Sequence, residues 1–111
     1  MSVSAPFTPS GNTVTFTAVI TTPPTPVQAV STTLGGNQYR ILNAGTVTVF
    51  LGVGRDADGA TANASVVTST ATAIPLLAGT DEILTFVPNS YFTGITSSSS
   101  AIVYITPGDG S

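Results

Sequence analysis

At 111 residues the chain has the length of one domain, and 41% hydrophobic residues with a positive mean hydropathy are enough to build a core. Only 6% of residues are charged, the formal net charge is −3, and lysine, histidine, cysteine and tryptophan are all absent. Two arginines, Arg40 and Arg55, cannot neutralise a run of phosphates or hold an anionic membrane, and without cysteine there is no disulfide, thiolate nucleophile or thiolate metal site.

The first 12 residues, with Pro6, Pro9 and Gly11, read as an extended arm, and residues 13–111 as a single sandwich domain. The opening Met1-Ser2-Val3-Ser4-Ala5-Pro6 lacks a basic region followed by an apolar run, so no secretory signal is expected. Val14, Phe16 and Ala18 alternate with threonines, as do Val47 and Val49 before Leu51 and Val53, and this period of two predicts strands. Threonine reinforces the pattern because its branched Cβ suits a pleated surface. Strands are expected over 13–20, 26–33, 38–43, 46–53, 64–69, 73–77, 82–87, 91–95 and 101–106. Turn residues separate them at short intervals, among them Pro23-Pro24-Thr25-Pro26, Gly35-Gly36-Asn37 and Pro88-Asn89-Ser90. Asn43-Ala44-Gly45 is short enough to close 38–43 and 46–53 into a hairpin. Ala57 to Ala64 is rich in alanine, but Asp58-Gly59 within it predicts a turn, and Gly52-Val53-Gly54 reads as a turn pair. Ser97 to Ser100 reads as a loop tip, and Pro107 to Ser111 as a frayed end. The expected fold is all-β: a two-sheet antiparallel sandwich, jelly-roll-like, with about eight or nine short strands.

Two segments, Ile83-Leu84-Thr85-Phe86-Val87 and Ala101-Ile102-Val103-Tyr104-Ile105, lack regular polar partners. The outer face of a solitary sandwich is normally polar, so either the chain's own loops roof these strands or another subunit covers them. Phe7, in the arm, and Phe16, near it, are the candidate subunit contacts. Burying a phenylalanine ring contributes up to about 3 kcal/mol.

The residues that carry chemistry are few. With no histidine, acid–base work falls to carboxylates and tyrosines, and the adjacent Asp81 and Glu82 point to opposite sides of a strand. No catalytic constellation is expected. Asp56-Ala57-Asp58-Gly59 has the alternating acids of a calcium loop, but no bidentate glutamate follows and Arg55 adds a competing charge, so a solvated turn is the better reading. No metal or cofactor is expected. Asn63-Ala64-Ser65 fits a glycosylation sequon, not expected to be used without a secretion signal. Tyr39, Tyr91, Phe92 and Tyr104 could form a sugar-stacking platform, although aromatics at strand spacing usually serve a core.

Gln38 to Phe50, Ile74 to Glu82, Phe86 to Ile95 and Val103 to Gly108 together resemble the small β-rich capsid decoration, or cement, proteins of tailed bacteriophages. The resemblance covers roughly residues 25–111 and is one of general pattern, with no ligand-set motif in it. It implies a virion structural protein, made in the host cytoplasm, that binds the major capsid protein of an assembled phage head. It further implies a homo-oligomer, a trimer favoured, bracing neighbouring capsid subunits, with no nucleic-acid or membrane partner. A tail or fibre component and a carbohydrate-binding β-sandwich module are the alternatives.

Overall fold

Alternation of threonine with apolar residues carries through into alternation of exposure. In strand β2 (Val14–Ala18), Phe16 and Ala18 are buried while Thr15 and Thr17 face out. The computed structural model describes residues 8–20, 22–30, 38–64 and 73–109. In chain order its elements are β1 (Thr8–Pro9), β2, β3 (Val27–Gln28), β4 (Gln38–Asn43), β5 (Val49–Gly54), helix α1 (Ala57–Asn63), β6 (Ile74–Leu76), β7 (Asp81–Thr85), β8 (Tyr91–Thr96) and β9 (Ala101–Asp109).

The strands form two antiparallel sheets packed face to face. In the first sheet β1 and β2 lie along one edge of β9, followed by β4 and β7; the second runs β3-β8-β5-β6. The pairings β5 with β6, β4 with β7, β3 with β8 and β2 with β9 are nested around one tip. The chain is thus one long antiparallel ribbon, doubled back at the β5–β6 connection. Rolling that ribbon brings β4 against β9 and β5 against β8, which closes both sheets. This winding is a jelly roll, and the all-β sandwich expected from the sequence is the fold observed.

The core fills the space between the sheets. Phe16, Tyr39, Ile41, Val103 and Ile105 enter it from the first sheet, and Val49, Leu51, Leu76 and Phe92 from the second. Each large apolar side chain buried there contributes about 1.5–3 kcal/mol, so this layer outweighs any surface contact. At one end Tyr39, Phe86 and Phe92 pack as an aromatic trio, with centroids 5.0, 5.8 and 6.1 Å apart. The Tyr39 hydroxyl leaves the core by donating to the Val87 carbonyl at 2.9 Å.

Several local expectations are corrected. Strands β4 and β5 make no hairpin but belong to different sheets. The cause is Asn43, fully buried, whose amide donates to the carbonyls of Val47 (3.0 Å) and Leu76 (2.9 Å) and whose Oδ1 accepts from Gly45 N–H (3.0 Å). This side chain pins a corner that carries the chain across the sandwich instead of back along it. Ala57 to Asn63 is helical rather than a turn, because Asp56 caps it by accepting from Gly59 N–H at 2.7 Å. Strand β9 runs on to Asp109, so Pro107 to Asp109 is sheet and not a frayed end. Strand pairing also begins at Thr8–Pro9, inside the stretch read as an arm. The strand expected at 64–69 and the far end of 26–33 fall almost wholly or in part outside the described residues, as does the Gly35-Gly36-Asn37 turn.

Candidate interaction face

The outer surfaces of the two sheets differ. On the second sheet, α1 lies across β5 directly over Gly52 and Gly54. A Cβ at Gly52 would fall on the Ala60 carbonyl oxygen and 2.6 Å from Ala64 N, and one at Gly54 would lie 2.6 Å from the Gly59 carbonyl carbon. The helix can sit flat only because these two positions carry no side chain. Asn63 ties its last turn down by donating to the Val53 carbonyl at 2.7 Å. The middle of this face, over β5, is therefore covered from within the chain, and the asparagine of the Asn63-Ala64-Ser65 sequon is engaged with it.

On the first sheet the described chain provides no such cover. Strand register sets the outward residues in rows: Thr15, Tyr104, Leu42 and Asp81 in one, and Thr106, Arg40 and Ile83 in the next. Ile102 stands beside Thr17. Ile83 is 49% exposed, Ile102 43% and Tyr104 40%. Among the described residues no loop of the protein roofs these three side chains. Inward-facing Ala101, Val103 and Ile105 account for the other half of the apolar run.

Polar groups on this face are small or mutually satisfied. The Thr13 and Thr106 hydroxyls meet at 2.6 Å across the β2 and β9 edge, and Thr15 donates to the Val103 carbonyl at 2.9 Å. Arg40 grips Asp81 with two prongs, Nε to Oδ1 at 3.0 Å and Nη2 to Oδ2 at 2.5 Å. Hydrogen bonding from Arg40 holds the Asp81 carboxyl below its ordinary range, against a slight opposing effect of burial and with help from Coulomb attraction. The same bond, then the attraction, raises the Arg40 guanidinium. A shallow groove lined by Pro9, Gly11, Thr13, Arg40, Ile83 and Thr106 runs beside the pair. The face as a whole is neutral.

The sheet edges are closed to strand addition by different devices. β7 carries Asp81 and Glu82, β6 carries Pro75, β3 is only two residues long, and the β1–β2 edge is broken at residues 10–13.

The sequence-predicted site residues are placed as follows. Phe16 is 5% exposed and belongs to the protein's own core, so its ring is not free to contact a neighbour. Phe7 lies outside the described residues. Tyr39 and Phe92 are core, while Tyr91 and Tyr104 stand on outer surfaces of different sheets, so the four aromatics form no common platform. Asp56 is committed to the helix cap, and among the described residues no group of three or more acidic side chains gathers as metal ligands would. Sequence reasoning missed Ile83, Ile102 and Tyr104 as individual exposed apolar residues, although the doubly apolar runs that hold them were visible. No protein-family model matches the chain, and neither the curated proteins nor the solved structures contain a significant match.

Proposed function

We propose that the protein is a non-enzymatic virion component of the capsid decoration type, which docks on an assembled phage shell through the outer face of its first sheet. The observation that supports this most is the exposure of Ile83, Ile102 and Tyr104 on a neutral, threonine-rich sheet whose opposite counterpart is covered by a helix. Threonine hydroxyls lose far less on desolvation than lysine or glutamate would, so such a face is inexpensive to bury. The Arg40–Asp81 fork fixes orientation more than it adds affinity. Repetition over a symmetric shell multiplies modest contacts into firm attachment, with each copy bridging neighbouring capsid subunits. A homotrimer is the expected assembly, and sedimentation equilibrium measures it.

The test is co-sedimentation with assembled phage heads. Wild-type protein is expected to pellet with the heads, and a variant carrying Ile102→Asp and Tyr104→Asp, both at exposed positions, is expected to stay folded and remain in the supernatant. Equal pelleting of the variant would remove the first sheet from the interface. Failure of the wild type to pellet would remove the shell as partner.

A further inference from the structure

At the end of the sandwich where β5 finishes, the two sheets part around a cleft of about 390 Å³ lined by Val53, Gly54, Arg55, Ile74, Phe86, Val87 and Ser90. We propose that this cleft is a binding site for a carboxylate carrying an apolar tail. The walls supply the first half of the match. Val53, Ile74, Phe86 and Val87 are aliphatic or aromatic, and Phe86 is held in the trio with Tyr39 and Phe92. The Tyr39 hydroxyl and the Ser90 hydroxyl both donate to the Val87 carbonyl, so the β7–β8 connection on that side is braced before any ligand arrives. A preformed apolar pocket of this size with a few polar groups at its rim is the usual form of a small-ligand site.

Arg55 supplies the second half. Among the described residues that line the cleft it alone is charged. The chain has only one other arginine, and that one is forked onto Asp81. Arg55 has no carboxylate partner among the described residues. Its sequence neighbour Asp56 is turned away to cap α1 through Gly59 N–H. A guanidinium at the mouth of an apolar cleft, with no carboxylate beside it among the described residues, selects a ligand with a planar anionic head and a hydrocarbon body. A free fatty acid and the C-terminal residue of a polypeptide with an apolar side chain share that chemistry. The site is separate from the outer face of the first sheet and does not depend on the docking reading.

Nuclear magnetic resonance titration of the isolated, isotope-labelled protein tests the site. The probes are octanoate, octanol, and a short leucine-terminated peptide as free acid and as amide. At least one carboxylate probe is expected to shift the amides of Val53, Arg55, Phe86 and Ser90, with its uncharged counterpart binding about tenfold more weakly. Arg55→Gln, a substitution at an exposed position, is expected to abolish that preference while leaving the rest of the spectrum in place. Response to octanoate alone identifies a fatty acid as the source, and response to the peptide acid alone identifies a chain terminus. The proposal is overturned if neither carboxylate shifts these amides, if the shifts lie elsewhere, or if Arg55→Gln leaves the preference intact.

Discussion

Asn43 has the largest structural role of any polar side chain in the described protein. Its amide serves Val47 and Leu76, reaches the Leu77 carbonyl at 3.3 Å, and takes Gly45 N–H on its oxygen, all at a fully buried position. Removing it strands the buried Leu76 carbonyl and several part-buried backbone groups at once, a buried one costing about 1–3 kcal/mol. Asn43→Ala is therefore expected to lower unfolding free energy by about 3 kcal/mol, read from the shift of a urea transition. The Arg40–Asp81 pair behaves differently because it is exposed. Asp81 has a folded-state pKa below its unfolded one. The stability it contributes is thus fully present above the ordinary carboxylate pKa of about 4, and is lost as pH falls through the lower folded value. Comparing acid unfolding of wild type with Asp81→Asn should show a slightly weaker pH dependence in the variant, with the difference shrinking in high salt. An unchanged acid limb at low salt would show that the pair contributes nothing in solution.

Among the elements, the contact between α1 and β5 separates what could be read from sequence from what could not. The inward faces of β2 and β5 were legible, because Val14, Phe16 and Ala18, and then Val49, Leu51 and Val53, keep a strict period of two. The helix was not, since seven residues containing Gly59 show no helical period and a glycine there ordinarily signals a turn. A combined signal was nevertheless present. Gly52 and Gly54 fall on one face of a strand, and Ala60 and Ala64 lie four apart on the segment that packs over them. The crossing after β4 was hidden for another reason: Asn43-Ala44-Gly45 suits both a hairpin and a corner, and only the buried carbonyls of Val47 and Leu76 select the corner. Gly52→Ala tests the packing, since its methyl has nowhere to go without moving the helix. A loss of about 2 kcal/mol or more in thermal or chemical unfolding is expected. The control is Gly79→Ala, where φ is +74° and an added Cβ meets nothing within 4 Å, and where only the left-handed backbone penalty of about 1 kcal/mol applies. Equal effects at the two sites would contradict a helix seated on bare backbone.

For the molecule as a whole, the economy of charge and the asymmetry of the two faces have one physical explanation. The chain's own helix lies over the middle of one outer sheet surface, while the other presents isoleucine, tyrosine and threonine around the one ion pair among the described residues, with guarded edges on either side. On the proposed role, this surface is the one that lies flat against a capsid subunit. Of the seven charged residues in 111, Arg40 and Asp81 neutralise each other on the first sheet and Asp56 caps the helix. An electron-microscopy map of the native particle, with this jelly roll fitted into it, decides the matter most directly. Ile83, Ile102 and Tyr104 should be found buried against a capsid subunit, in many copies per head. A map in which the first sheet faces open solvent on every copy, or in which the particle carries no density for this fold, would contradict the proposed role.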